Sequence, residues 1–294
     1  MHNNSSLSHR KQEPESGVLY VVGTPIGNLD DISLRAINIL KKVSLIACED
    51  TRKTGRLLKH LTISNKLICF NEHNSDRKID YLISKLQNGL SLAIVSDAGM
   101  PLISDPGGIL VKNIIDNDLE VVCVPGPCAA ITALVSSGID ASQFTFYGFI
   151  PKSKKARNAI LKTISESKMT SIIYESPNRI LKLLYDLKSI CGEERNLVLI
   201  KELTKRFETH YGGNINSVIE QIEKNTPKGE FTLVISGCKK ENKIKENDNK
   251  ILLEDFNNLI KAGLTHSAAT NYLSQKLDRP KNEIYKLSIQ NSLR

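Results

Sequence analysis

The chain has 294 residues, enough for two lobes with separate cores; 40% are apolar and only 5% aromatic, the balance of a soluble protein with polar tails. Lys and Arg number 40 against 32 Asp and Glu, a formal charge of +8, and the pI is near 9.1. Such an excess suits a polyanionic partner, because each neutralised phosphate releases a counterion; a solvated Lys-rich surface explains it equally well. Six cysteines form no C-x-x-C pair, and several sit in apolar runs such as KLICF and VVCVP. They argue against a disulfide frame or a zinc site and for a reducing compartment, the cytoplasm. No apolar run approaches the roughly 20 residues of a membrane span. The opening MHNNSSLSHRKQEPES lacks the apolar centre of a signal peptide and reads as a disordered arm over residues 1–16.

In chain order, GVLYVVG reads as a buried strand, SLRAINILKKV as a helix, SLIACED and LICFNEH as strands, and DRKIDYLISKLQNG as an amphipathic helix capped by Gly89. LSLAIVSDAG is a further strand, GILVKNIIDND a helix, and LEVVCVPGP a strand running into the helix CAAITALVSSG. Buried strands alternating with helices predict a mostly parallel sheet covered on both faces, over residues 17–148. A second α/β lobe, residues 149–238, runs through KARNAILKTISES, TSIIYES, NRILKLLYDLKSICG, NLVLIKEL, NSVIEQIEK and GEFTLVISG. Residues 239–250, KKENKIKENDNK, read as a charged linker. Three helical patterns over 251–294 make a compact tail, with Asp278 and Pro280 starting the last.

Ligands of open parallel sheets gather at the carboxyl ends of the strands. Four Gly/Pro-rich loops fall there: Gly23-Thr24-Pro25-Ile26-Gly27-Asn28; Ser96-Asp97-Ala98-Gly99-Met100-Pro101, continuing to Ser104-Asp105-Pro106-Gly107-Gly108; Pro125-Gly126-Pro127; and Gly148-Phe149-Ile150-Pro151. The first is not a dinucleotide fingerprint, because it lacks G-x-G-x-x-G and contains Pro25.

GTPIGNLDDISLRA, ACEDTRKTGRLL, SDAGMPLISDPG, PGPCAAITAL, GFIPKS, YESPNR, KELTK and GEFTLVISG, in that order, resemble the signatures of the tetrapyrrole-methylase superfamily. More narrowly they resemble its bacterial branch of small-subunit (16S) ribosomal RNA cytidine 2′-O-methyltransferases, whose helix-turn-helix extension the tail is similar to. The resemblance covers about residues 17–237. It implies an α/β fold of two lobes, the first sheet mostly parallel and the second mixed, with S-adenosyl-L-methionine in the cleft between them. It also implies a homodimer, and as substrate the small-subunit RNA or the assembled subunit. Met100 stands where that branch usually has Thr, which removes a hydroxyl from the loop but leaves its backbone contacts.

The resemblance places Pro25, Ile26, Asp97, Gly99, Met100, Ala129, Ala130, Thr132, Tyr174 and Thr232 against the cofactor. Asp97 would accept from its hydroxyls or ammonium, although a turn-forming Asp bonding its own loop is the alternative. A sulfonium methyl is already activated, so no metal is implied; the protein must align the atoms and help remove a hydroxyl proton. Glu49, Asp50 and Arg52 combine carboxylates with a guanidinium at a strand end and are the first candidates, a structural Asp–Arg pair being the alternative. His73 is a secondary candidate. Glu175, Arg179, Glu202 and Lys205 would shape the facing wall. Arg52, Lys53, Arg56, Lys152, Lys154, Lys155 and Arg157 would grip RNA phosphates at the rim, and Lys276, Arg279, Lys281 and Lys286 of the tail would add backbone affinity. The rivals are a methylase of a tetrapyrrole precursor and a non-catalytic ribosome-assembly or nucleic-acid-binding factor.

Overall fold

A computed structural model describes residues 13–71, 75–224, 227–238, 241–277 and 279–292, without the side chains of 75–77, 241–250 and 290–292. Its contacts divide the chain into two units, Met1–Gly237 and Cys238–Arg294.

The first unit opens with β1 (Val18–Val22), all five residues buried as both-face burial in a parallel sheet requires. A 3₁₀ turn capped by Asn28 follows, then α1 (Leu34–Lys42), whose Ser33 N-cap accepts from the Ala36 N–H. The lobe continues through β2 (Leu45–Cys48), α2 (Thr51–His60), β3 (Leu67–Cys69), α3 (Ser75–Gln87), β4 (Leu92–Val95), α4 (Gly108–Asp116), β5 (Glu120–Val124) and α5 (Ala129–Ser136). Its five strands pair in the order β3-β2-β4-β1-β5, all parallel. One apolar layer covers each face, around Tyr20 and Ile39 on one side and Leu82 and Leu110 on the other.

The second lobe comprises β6 (Phe144–Phe149), α6 (Lys154–Glu166), β7 (Thr170–Glu175), α7 (Pro177–Cys191), β8 (Asn196–Lys201), β9 (Thr209–Asn214), α8 (Ile215–Glu223) and β10 (Phe231–Ile235). Its sheet runs β6-β7-β10-β8-β9, with β6 parallel to β7 and the other pairs antiparallel. The fold is therefore the expected α/β pair of a parallel and a mixed sheet. Helix α5 joins the lobes: Ala130, Ala133 and Leu134 pack against Ile172, Ile200 and Val234 of the second sheet. Alanines on that face let the helix approach the sheet closely.

Three boundaries and two elements differ from those the sequence predicts. β6 pairs with β7, so the second lobe begins before residue 149, between α5 and Phe144. β9, a polar edge strand, and α2 have no counterpart among the predicted elements. Residues 241–250, read as linker, are the first turns of α9 (Glu241–Lys261), while 239–240 lie outside the described residues. Residues 13–16 of the supposed arm are tied down: Glu13 pairs with Arg35, the Glu15 N–H reaches the Tyr20 hydroxyl, and Ser16 donates to the Gly89 carbonyl.

In the second unit, α9, α10 (His266–Leu277) and α11 (Lys281–Ser292) enclose a small core of Leu252, Phe256, Ala269, Leu273 and Ile284. The His266 ring stands edge-on to Phe256 and Tyr285, at 4.8 and 5.3 Å. Two of the tail's basic side chains are already in ion pairs, Lys276 with Asp255 and Arg279 with Glu283. Asp278 lies outside the described residues.

Candidate functional site

Three of the four Gly/Pro-rich loops leave the carboxyl ends of β1, β4 and β5, whereas Gly148 and Phe149 of the fourth are the last residues of β6 in the second sheet. The loops after β1 and β4 are stapled together: Thr24 and Gly99 exchange both backbone hydrogen bonds, at 2.9 and 3.1 Å. Gly23 touches Gly126 so closely that a Cβ on either would lie within 2.9 Å of the other's backbone. Gly99 has φ +88°, which glycine adopts without strain, and a Cβ there would come within 3.1 Å of Ile26. These contacts hold open a cleft of about 550 Å³, walled on one side by Ile26, Lys53, Asp97–Met100, Ser104, Asp105 and Ala129. Phe149, Tyr174, Leu203, Lys205 and Gly229–Thr232 form the facing wall.

Tyr174 joins the walls. Its hydroxyl oxygen accepts from the Ala130 N–H at 2.9 Å, satisfying one of the open donors at the start of α5. Its ring stands edge-on to Phe146 and Phe149, and burial raises the phenol above its usual range, so it stays protonated. Nearby, the fully buried Glu175 carboxylate accepts from the Ser176 N–H and pairs with Arg179 at 3.1 Å. Lys205 bridges Glu202 at 3.1 Å and Glu230 at 2.9 Å. Burial opposes ionisation of Glu202, but the Glu230 N–H and Lys205 outweigh it and leave the carboxyl below its ordinary range. Left-handed backbone at Leu102, Ser104, Glu202 and Thr204 clusters on the loops of both walls, where strain is commonly held in place at binding sites.

A second cavity of about 530 Å³ adjoins the first and shares Asp97, Ser104 and Asp105 with it; Glu49–Arg52, Cys69, Asn71 and Pro106 complete it. At the junction Asp97 accepts from the Asp50 N–H at 3.1 Å and from Lys53 at 2.8 Å. That hydrogen bond keeps the Lys53 ammonium charged beyond its ordinary range. Asp50 caps α2 and holds Arg52 through Nε and Nη2, and the Arg52 bonds draw its carboxyl well below the usual carboxylate range.

Of the residues expected against the cofactor, Ile26, Asp97, Gly99, Met100, Ala129, Tyr174 and Thr232 line the first cleft. Pro25 is buried, Ala130 contributes its N–H to Tyr174, and the Thr132 hydroxyl donates to the Cys128 carbonyl; none of the three lines the cleft. Met100 sits with its sulfur over Gly23. Glu49, Asp50 and Arg52 come together in the second cavity, whereas His73 lies outside the described residues. Lys53 lines the cleft with its side chain half exposed. Arg56, Lys152, Lys154 and Lys155 are exposed. Arg157 is not: it is 6% exposed and ion-paired to Asp186 across α6 and α7, so it cannot reach a phosphate. Sequence reasoning misses Asp105, although its place after β4 and a second Asp in one loop are visible signals. Among the described residues, no group of three His, Cys, Asp or Glu is arranged to hold a metal.

The model of the family described as Tetrapyrrole (Corrin/Porphyrin) Methylases matches residues 18–219. The chain belongs to this family. Relatives named ribosomal RNA small subunit methyltransferase I include one from Synechocystis sp., 41% identical over 93% of this chain and 98% of its own. Another, from Escherichia coli O157:H7, is 44% identical over 79% and 82%, and one from Vibrio cholerae is 48% identical over 75% and 77%. In fold the chain is similar to a uroporphyrin-III-C-methyltransferase from Thermus thermophilus, with a TM-score of 0.54 and 18% identity over 75% of this chain and 94% of that one. It is likewise similar to a cobalt precorrin-4 methyltransferase of cobalamin biosynthesis, with a TM-score of 0.56 and 13% identity over 75% and 95%.

Membership makes S-adenosyl-L-methionine the methyl donor, and the first cleft fits it. Gly99 and Ala129 leave room where larger side chains would intrude, apolar walls suit an adenine ring, and Asp97, Thr232 and Lys205 offer polar ends. No helix among the described residues is long and apolar enough to cross a membrane.

Proposed function

We propose that this methylase transfers a methyl group to the ribose 2′-hydroxyl of a cytidine in small-subunit ribosomal RNA. The observation carrying the RNA substrate is the relatives at 41–48% identity whose names specify the small ribosomal subunit and of which this chain covers 77–98%. The donor supplies an activated sulfonium methyl. Ile26, Gly99, Met100, Ala129, Tyr174 and Thr232 would hold it, and Asp97 with Lys53 would fix the edge facing the acceptor. The protein would work in the cytoplasm, as a homodimer.

The rival tetrapyrrole precursor would bring carboxylates to this site. Glu49, Asp50, Asp97 and Asp105 line the second cavity, and their like charge disfavours a polycarboxylate there. A nucleoside, whose hydroxyls and amine donate, suits the same acceptors. Phosphates would be met outside, by Arg52, Arg56, Lys152, Lys154 and Lys155. Replacing the three lysines with alanine should weaken RNA retention and flatten its salt dependence by about 0.7–0.9 in log–log slope for each lost phosphate contact. Arg157→Ala should leave that slope unchanged and instead lower stability, by about 1.5–3 kcal/mol, through loss of a hydrogen-bonded charge pair. Filter binding across a salt series and denaturant melts check both.

The function itself is tested by incubating the purified chain with methyl-labelled S-adenosylmethionine and either isolated small subunits or naked RNA, followed by digestion to nucleosides and mass analysis. Label in 2′-O-methylcytidine is expected. Label on a base, or transfer only to a tetrapyrrole precursor, would reject the proposal.

A further inference from the structure

We propose that the second cavity receives the nucleotide to be methylated and that Asp105, on the wall it shares with the first cleft, takes the proton of the reacting hydroxyl. This rests on the ribose acceptor proposed above. In-line transfer requires acceptor and donor sites to touch. The two cavities do so through Asp97, Ser104 and Asp105, and the second, at about 530 Å³, is in the size range of small-molecule sites. Its lining is mixed rather than merely acidic: Thr51, Arg52 and Asn71 stand among the carboxylates. Arg52, 86% exposed, is held by Asp50 through Nε and Nη2, which leaves Nη1 for a phosphate at the mouth.

Other groups at the junction are poorly placed to take a proton. Both Asp97 oxygens are engaged, by the Asp50 N–H and by Lys53. Asp50 is committed to Arg52 and held at low basicity. Lys53 and Tyr174 are kept protonated. Asp105 is shifted the other way: burial pushes its carboxyl up, Asp97 adds to this, and the Ser96 hydroxyl only partly offsets it. A more basic carboxylate is the better acceptor for a hydroxyl proton. The titratable groups lining the two cavities with it are Glu49, Asp50, Arg52 and Cys69 in the second, Asp97 and Lys53 at the junction, and Cys128, Tyr174, Glu175, Lys205 and Glu230 around the first. In the step, the acceptor oxygen bonds the methyl carbon as its proton passes to Asp105. The carbon–sulfur bond breaks with its electron pair going to sulfur, leaving a neutral thioether.

The test uses the full chain, isolated small subunits and methyl-labelled S-adenosylmethionine. Asp105→Asn should bind the donor within twofold of wild type by calorimetry and retain subunits, yet transfer about 10²–10⁴-fold more slowly in a single turnover. Wild-type transfer should rise with pH as Asp105 ionises and then level off, and the residual Asp105→Asn rate should lack that rise. Because the folded carboxyl is harder to ionise than the unfolded one, its charge at neutral pH costs stability. Asp105→Asn should therefore melt no lower than wild type at pH 7. Thr51→Trp, which fills the second cavity alone, should leave donor affinity intact and cut transfer at least tenfold. Wild-type speed in Asp105→Asn, or an unchanged pH profile, would overturn the role of Asp105, and full transfer by Thr51→Trp would overturn the acceptor pocket. If wild type labels a base, the ribose reading fails first. If it labels ribose and Asp105→Asn is equally fast, only this inference fails.

Discussion

Asp97→Ala is expected to lower affinity for S-adenosylmethionine about 10- to 100-fold. The carboxylate holds two things at once, the Lys53 ammonium at 2.8 Å and the Asp50 N–H at 3.1 Å at the start of α2. Hydrogen bonds to a charged group contribute about 1.5–3 kcal/mol, and 1.4 kcal/mol is a factor of ten. Without Asp97, Lys53 swings free and the edge between the two cavities loses its shape. Asp97→Asn keeps an acceptor for the backbone N–H but not the charge, and should fall between the two. Calorimetric titration reads the result, and an undiminished affinity for Asp97→Ala would remove Asp97 from the donor site.

Gly126→Ala should be as damaging for a different reason. Its Cβ would lie 2.8–3.0 Å from the Cα, carbonyl carbon and oxygen of Gly23, all backbone atoms that cannot rotate away. Overpacking of this kind costs about 1–3 kcal/mol. The strain falls on the two loops that frame the cleft, so donor affinity should drop with stability. Gly108→Ala is the control: nothing lies within 4 Å of its added Cβ, and both quantities should stay near wild type. Equal behaviour of the two variants in melts and titrations would contradict the close approach of the β1 and β5 loops.

The sequence revealed what is buried on both faces or kinked by glycine and proline. β1, β4 and the loops at Asp97 and Gly99 are examples, because apolar runs and Gly/Pro punctuation follow directly from local physics. It hid elements whose signal lies in their neighbours. α2 buries only Thr54 and Leu58 on one face, too few for a clear helical period. β9, THYGGN, is an edge strand with little to bury. The charged start of α9 looks like linker because periodicity emerges only from Leu252 onward. Arg157 sits in a Lys-rich run and reads as surface; its partner Asp186 is 29 residues away, beyond any local pattern. Asp105, followed by Pro106 and Gly107, looks like a turn residue until the second cavity places it on a shared wall.

The arrangement of the donor is tested most directly by a crystal structure of the chain with S-adenosylhomocysteine. Density is predicted between the lobes, touching Ile26, Asp97, Met100, Ala129, Tyr174 and Thr232, with the sulfur toward the Asp97–Asp105 junction. Density in the second cavity, or outside both, with the inter-lobe cleft empty, would contradict it.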